Sequence, residues 1–291
     1  MSDLVAAYRP ILDLMLISCG LALGQYVVLR AGVFSVAGAG LASIGAYTAG
    51  LLVKETGLGL VPALAAAVAV GLGVSLLLAF PLSRVRGVYQ AIATLAFVQI
   101  VVSLMLYAED LTGGPLGLNA IPKLVGTVHL AVGVAIVVYI MTAIDRSRLG
   151  SAFDAVRQDE TVAAALGVGI PALHALAFAI SGAVFGLFGG MIALHSYSLE
   201  PTHFGFPLLV SMLATVVLGG RRSVWGPLLG AAILTALPEL ARPLSENRAL
   251  VHGALLVGMI VFLPRGIVDT ISHRIASTRR ARGEADLVAS A

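Results

Sequence analysis

Residues 11–29 read ILDLMLISCGLALGQYVVL, an apolar run in which Asp13 is the only charged side chain. A helix of about 20 predominantly apolar residues is long enough to cross the hydrocarbon core of a bilayer. The run lacks the alternation of apolar and polar residues over ~10 positions that is typical of a transmembrane barrel strand. This stretch therefore predicts a transmembrane helix and an all-α fold.

The composition of the whole chain extends this prediction. Of its 291 residues, 59% are hydrophobic and only 11% are charged, and the mean hydropathy is +1.00. A soluble domain carries roughly 25% charged residues, which it needs to cover its surface. These values exclude a soluble globular protein and predict a polytopic transmembrane bundle of about 8–10 helices.

Cutting the chain at charges, prolines and glycine clusters predicts nine membrane spans. They are Ile11 to Leu29, Gly32 to Val53, Leu60 to Phe80, Gln90 to Ala108, Thr127 to Ile144, Ala172 to His195, Phe206 to Gly219, Gly226 to Leu240 and Ala249 to Leu263. The seventh span is short enough to be re-entrant, so the sequence leaves its complete crossing open. The only carboxylates within the nine spans, Asp13 and Glu239, lie near span ends, where we expect exposure at the interface.

The basic residues predict the orientation. With nine crossings, thirteen of the 18 Lys and Arg residues fall in loops on one side of the membrane and five on the other. The richer side should be cytoplasmic, which places the N-terminus outside and the C-terminus inside. We therefore expect a transmembrane domain over residues 1–265 with a cytoplasmic loop over 145–171, followed by a basic, disordered cytoplasmic tail over 266–291.

Several kinds of chemistry find no support in the sequence. The two lysines, Lys54 and Lys123, do not follow glycine as a P-loop requires. The six histidines lack paired metal-ligand spacing, and the lone Cys19 excludes an intrachain disulfide. Basic residues are scattered between apolar runs without interleaved aromatics, so membrane topology explains them better than nucleic-acid binding. Glycines spaced four apart, such as Gly182, Gly186 and Gly190, predict close helix packing instead.

The longest polar interruption predicts two short helices on the cytoplasmic surface. In this stretch, Asp145 to Pro171, an apolar stripe recurs at helical spacing through Leu149, Ala152, Phe153 and Val156. Asp159 is a favourable N-cap and Gly167 a favourable residue just past a helix end, which predicts a helix over 160–166. This pattern fits either an inert amphipathic connector or an element that docks into a groove on a soluble partner.

Five blocks of the chain, in order, resemble the permeases of branched-chain amino acid ABC importers of the LivM/LivH type, and are closest to LivM. They are Gly32–Thr48, Arg86–Phe97, Leu111–Leu118, Arg148–Gly167 and Val217–Gly230. The resemblance implies a bacterial inner-membrane subunit that works with a second, similar permease, two cytoplasmic ATPases and an extracytoplasmic solute-binding protein. It also implies that this chain binds no cofactor, since ATP and Mg would be held by the ATPases.

In that family the loop that matches Arg148 to Gly167 couples the permease to the ATPase. The coupling residues implied here are Arg157, Asp159, Glu160, Ala163, Ala164 and Gly167. The candidates for the translocation pathway are the polar side chains on glycine-rich spans, for which hydrogen bonding between helices is the alternative role. They are Ser35, Ser43, Tyr47, Thr48, Tyr89, Gln90 and Thr94.

Three functions stay open at this point. The first is import of leucine, isoleucine or valine, and the second is import of urea, short amides or another small neutral solute by the same architecture. The second gains weight from Ala37 and Gly38, because many relatives have Gly-His there. The third is an ion-coupled secondary transporter or channel, a class that usually places ionisable residues at the membrane midplane.

Overall fold

The computed structural model describes the backbone of residues 2–83, 85 and 87–240, and the side chains of residues 9–83, 85 and 87–236. Within these ranges the regular structure is helical, apart from one β-bridge between Leu118 and Leu199. The helices are α1 (Ser2–Arg30), α2 (Gly38–Thr56), α3 (Leu60–Leu82), α4 (Val88–Tyr107), α5 (Glu109–Thr112), α6 (Thr127–Asp145), α7 (Arg148–Gln158), α8 (Glu160–Ala165), α9 (Ile170–His195), α10 (Phe206–Gly219) and α11 (Trp225–Leu240). Two 3-10 turns, Gly114–Leu116 and Pro201–Phe204, complete the elements.

The helices confirm the predicted polytopic bundle. Six described spans are long and apolar enough to cross a bilayer, namely Arg9–Arg30, Leu60–Leu82, Val88–Tyr107, Thr127–Asp145, Ile170–His195 and Pro201–Gly219. Eight of the nine predicted spans overlap observed helices, including α2 and α11. The ninth span, 249–263, and the predicted tail, 266–291, lie outside the described residues.

Helix α9 is the centre of the bundle. It packs against α1, α2 and α3, which are also in contact with one another through α2. Residue contacts set the directions: Gly24 of α1 and Gly38 of α2 both lie against Phe185, while Gly71 of α3 lies against Gly182. A second contact on each helix gives its direction: Gly20 lies against Phe188, Ala49 lies near Gly190, and Ala67 lies against Gly186. Helix α2 therefore runs parallel to α9, whereas α1 and α3 run antiparallel to it.

The predicted glycine packing is confirmed. A Cβ atom at Gly45 would lie 2.6 Å from the carbonyl oxygen of Gly186, and one at Gly182 would lie 2.5 Å from the carbonyl oxygen of Gly71. Such distances leave no room for a side chain, so glycine lets the helix backbones touch. Within a bilayer the hydrophobic effect does not drive helices together, so close packing of the backbones stabilises the bundle instead.

The second span begins later than predicted. Residues 31–37 are not helical, and α2 starts at Gly38 rather than at Gly32. Gly32 adopts a φ of +80°, which ends α1 in a left-handed turn. From there the segment runs back beside the last turns of α1, because the amide of Gln25 donates to the carbonyl of Ser35 at 2.7 Å.

The two ends of the bundle differ. One end, which we call the α7–α8 end, contains Arg30, Asp145, α7, α8 and the start of α9. At the opposite end the 108–126 segment pairs with the chain after α9, through the bridge between Leu118 and Leu199. The candidate coupling residues thus lie together at the α7–α8 end.

Candidate coupling segment and translocation site

Both predicted short helices form, and the caps predicted for the second helix are in place. The side chain of Asp159 accepts hydrogen bonds from the backbone N–H groups of Thr161 and Val162 at the start of α8. These donors, Val162 first and then Thr161, hold the pKa of Asp159 below its ordinary value. At the other end Gly167 has a φ of +86°, and the N–H of Val168 donates to the carbonyl of Ala163, as in a Schellman cap.

An ion-pair network ties α7 to the membrane helices. Arg30, at the last residue of α1, is buried and pairs with Asp145 at the end of α6. Its guanidinium also reaches Asp154 of α7 at 3.1 Å, and Asp154 contacts Arg157 at 3.4 Å. Arg30 thus joins three helices at one point, using the several donors that a guanidinium offers.

The coupling candidates differ in exposure. Ala163 is buried at 1% exposure, Glu160 and Arg157 are half-buried, and the exposed members of the set are Asp159, Ala164 and Gly167. The predicted stripe of α7 packs inward through Phe153 and Val156, but Leu149 is 40% exposed. The result is a segment anchored to the bundle on one side and open on the other.

A cavity of about 300 Å³ lies behind α8. Glu160 and Ala164 of α8 line it together with His174 of α9 and Gln90 of α4. The carboxylate of Glu160 is 3.8 Å from the imidazole of His174. The cavity therefore adjoins both the coupling segment and one of the pathway candidates.

Three pathway candidates are brought together where α4 meets the 31–37 segment. The hydroxyl of Thr94 accepts the N–H of Val36 at 3.1 Å, and the hydroxyl of Ser35 accepts the N–H of Ala37 at 3.3 Å. Gln90 is buried one turn before Thr94, and its amide is 3.5 Å from the carbonyl of Leu82. These polar groups compensate a stretch of buried non-helical backbone, which membrane proteins tolerate only inside protein or beside water.

The other four candidates are spread over α2 and the start of α4. Tyr47 is buried and donates to the carbonyl of Leu199 at 3.4 Å, and Thr48 donates to its own helix at Ile44. Ser43 is fully buried, and its hydroxyl has no hydrogen-bond partner among the described residues. Tyr89 is 76% exposed on the outer side of α4, away from the buried set.

Asp13 corrects an expectation. It was expected at an exposed interface, but its side chain is buried and lies 3.6 Å from His195. The cause is tertiary: α1 packs on α9, which places the end of α9 beside the start of the apolar run. Glu239, the other carboxylate within a span, lies outside the described side chains.

Sequence reasoning did not single out Gln25 or Arg30. Both are buried and polar, and each takes its role from a partner far along the chain or in an irregular segment. A charged residue that follows an apolar run directly, as Arg30 does, was available as a signal for a buried pair. Among the described residues, no group of three His, Cys, Asp or Glu side chains could hold a metal ion.

Comparison with known proteins places this geometry in a family. The family model described as "Branched-chain amino acid transport system / permease component" matches residues 11–264. The permease protein LivM of the high-affinity branched-chain amino acid transport system of Salmonella typhimurium is 32% identical over 300 residues, covering 91% of this chain and 71% of LivM. Its counterpart from Escherichia coli is 32% identical, covering 88% of this chain and 68% of that protein.

A shorter similarity links the chain to the other permease of those systems. LivH of Salmonella typhimurium is 30% identical over 124 residues, covering 42% of this chain and 40% of LivH. No solved structure matches the chain significantly. The family match spans the whole bundle and both short helices of the α7–α8 end, and the chain is therefore a multi-pass membrane protein of the branched-chain amino acid permease family of ABC transporters.

Proposed function

We propose that this chain is the membrane-spanning subunit of an ATP-driven importer of leucine, isoleucine and valine. The observation that carries the proposal is the α7–α8 segment, a pair of capped helices that is tied to α1 and α6 through Arg30 and exposed on its other side. Within a permease family, such a segment suits a partner that pushes on the bundle from outside the membrane. The names of the relatives support the substrate class.

The mechanism we propose is alternating access. Two partner ATPases bind ATP and Mg, close, and move the segment that contains Arg157, Asp159, Glu160, Ala163, Ala164 and Gly167. The ion pairs of Arg30 pass this displacement to α1 and α6. ATP shifts the equilibrium because it binds the state with closed ATPases more tightly. A second permease completes the membrane domain, and a solute-binding protein delivers the substrate on the far side.

The proposal assigns each end of the bundle to one side of the inner membrane. The α7–α8 end faces the cytoplasm, in accordance with the basic residues of its loops, and the C-terminus lies on the same side. Ser35, Ser43, Tyr47, Thr48, Tyr89, Gln90 and Thr94 remain our candidates for the pathway. Among them, Gln90 is supported by its place in the wall of the cavity behind α8, and Ser43 by its unpaired hydroxyl.

The substrate is tested with the reconstituted complex. ATP hydrolysis is measured with the solute-binding protein loaded with leucine or with urea, and we expect stimulation by the leucine-loaded form. No stimulation by leucine would contradict the substrate. Uptake that survives vanadate but collapses with an ionophore would contradict the ATP-driven class and favour an ion-coupled transporter.

The coupling segment is tested by two substitutions. Glu160→Lys reverses a charge beside the cavity, and Gly167→Asp places a side chain at a φ of +86°. We expect both to abolish uptake while membrane insertion and copurification with the permease partner persist. Glu160→Gln and Gly167→Asn are the matched controls, because each lacks the charge that the test variant introduces. Asn and Asp both tolerate the left-handed conformation, so Gly167→Asn isolates the effect of the charge. Normal uptake in both test variants would show that coupling occurs elsewhere.

A further inference from the structure

The outer face of α4 carries polar groups in the middle of a membrane span. Gln99 and Ser103 are exposed there and, with Ile100, Leu104 and Tyr107, line an open groove of about 390 Å³. At 1.5 Å per residue, Gln99 lies about 17 Å from Val88 and about 12 Å from Tyr107, so it is close to the centre of the helix.

This face differs from the other exposed helix faces. Those of α3 and α6 present large apolar side chains such as Leu77, Phe80 and Ile136. Within the described spans, Gln99 is the only exposed amide or charged side chain more than two turns from both ends. Neither Gln99 nor Ser103 makes a hydrogen bond to another described residue. A serine can bond to a carbonyl of its own helix, whereas a glutamine amide in hydrocarbon leaves donors and an acceptor unpaired, at a high cost.

Polar groups recur along the outer face of α4, with exposed apolar side chains such as Ile92 and Ile100 among them. Tyr89 and Tyr107 are 18 residues apart, which is five turns, so they share one face, and Ser103 and Gln99 lie within about 80° of it. Both tyrosines are strongly exposed, at 76% and 88%. Ala96, which is exposed, lies between Tyr89 and Gln99 along this face. The row starts next to Gln90, which lines the cavity behind α8.

The inner face of α4 is already occupied. Gln90, Thr94, Val98 and Val101 are its buried residues, and it packs on α2. The hydroxyl of Thr94 is committed to the backbone of Val36 and of its own helix. A solute that needs hydrogen bonds while it crosses beside α4 therefore finds them on the outer face.

We propose that the outer face of α4 lines the solute pathway, with Gln99 and Ser103 as hydrogen-bonding residues, and that the second permease closes the pathway from the other side. This inference rests on the proposed function and adds the location of its site. The amide and hydroxyl suit the polar groups of a small, net-neutral solute, and Ile100 and Leu104 suit an aliphatic side chain.

Water access to this face tests the proposal without any transport measurement. Spin labels are attached to Gln99→Cys and Ser103→Cys in the reconstituted complex, in a Cys19→Ala background. Leu77→Cys and Ile136→Cys are the controls on the apolar faces of α3 and α6. Collisions with a water-soluble nickel chelate and with lipid-soluble oxygen are compared at each position.

We expect frequent nickel collisions at 99 and 103 and mainly oxygen collisions at 77 and 136. Oxygen-dominated collisions at 99 and 103 would mean that the face contacts lipid and would overturn the proposal. Low collision rates with both reagents would mean a dry protein contact, with the partner or with residues 241–291, and would equally overturn it.

Uptake measurements on complexes with substitutions at Gln99 test whether this side chain contacts the solute. Gln99→Leu should lower the uptake rate by about 2- to 10-fold, the loss expected for one hydrogen bond, whereas Gln99→Asn should recover part of it. Unchanged uptake in Gln99→Leu would contradict a solute contact. If position 99 is hydrated but leucine is not transported, the substrate assignment fails and the pathway stands.

Discussion

Gly45 of α2 faces Gly186 of α9 so closely that a Cβ atom would lie 2.6 Å from the Gly186 carbonyl oxygen. The obstructing atom belongs to a helix backbone and cannot rotate away. We expect Gly45→Ala to lower the free energy of unfolding by about 1–3 kcal/mol, the usual cost of overpacking. Unfolding in a mixed-micelle SDS titration gives the measurement.

Gly73 of α3 is the matched control for this experiment. A Cβ atom there would meet nothing within 4 Å, and the residue is helical. Gly73→Ala should be neutral or stabilising, because alanine is the better helix former by roughly 1 kcal/mol. Equal losses in the two variants would show that the contact between Gly45 and Gly186 is not what limits packing.

The role of Arg30 depends on the carboxylates that the fold places beside it. Its guanidinium pairs with Asp145 and Asp154 at once. Arg30→Met should lower the free energy of unfolding by about 2 kcal/mol, as expected for charge-assisted hydrogen bonds, and should speed amide exchange in α7. Arg30→Lys should recover only part of this, since an ammonium cannot span two carboxylates as a fork does.

A double-mutant cycle isolates the contact with α7. If Arg30 holds Asp154, then Asp154→Asn should cost clearly less in the Arg30→Met background than in the native one. Additive costs, within about 0.5 kcal/mol, would mean that the two side chains do not stabilise each other. In that case Asp145 and the hydroxyl of Tyr26 would anchor Arg30.

Local patterns sufficed for some residues and failed for others. Asp159 and Gly167 were predicted as caps because the N–H groups and the left-handed turn that they serve lie within a few residues of each. Asp13 and Arg30 were not predicted as buried, because their ion-pair partners are 182 and 115 or more residues away in the chain. Distant partners leave no periodic signal in the sequence.

At the scale of elements, the 31–37 segment is the main departure from the predicted spans. It is apolar enough to be read as helix, since periodicity and hydropathy cannot distinguish a helix from buried irregular backbone. Side chains of neighbouring helices stabilise the segment. Gln25 donates a hydrogen bond to the carbonyl of Ser35, and Thr94 accepts one from the N–H of Val36. The start of α2 is therefore set by contacts that only the tertiary structure provides.

Thr94→Val tests this account of the segment. Valine keeps the shape of threonine but removes the acceptor, which leaves the N–H of Val36 buried without a partner. We expect a loss of about 1–3 kcal/mol in the free energy of unfolding and faster amide exchange at Val36. Thr94→Ser keeps the hydroxyl and should preserve slow exchange at Val36. Slow exchange at Val36 in the valine variant would instead assign the protection to burial alone.

At the scale of the whole molecule, the helix directions and the charge pattern agree. The antiparallel packing of α1 and α3 against α9, with α2 parallel to it, puts Gly57 and Ser147 at opposite ends of the bundle. Among the described residues, Arg30, Arg146, Arg148 and Arg157 lie at the α7–α8 end, whereas Lys54 and Lys123 lie at the opposite end. The positive-inside rule then assigns that end to the cytoplasm, although packing alone would be the same in either orientation.

Reporter fusions turn this orientation into a measurement. Alkaline phosphatase is active only outside the cytoplasm and green fluorescent protein folds well only inside it, so each fusion point is tested with both. We expect phosphatase activity after Gly57 and fluorescence after Ser147 and after Arg222, in the turn between α10 and α11.

The Arg222 fusion decides whether 206–219 crosses completely. With α11 and 249–263 both crossing, a fusion after Ala291 should fluoresce. Phosphatase activity after both Arg222 and Ala291 would instead make 206–219 re-entrant, whereas activity after Ala291 alone would mean that α11 and 249–263 do not both cross.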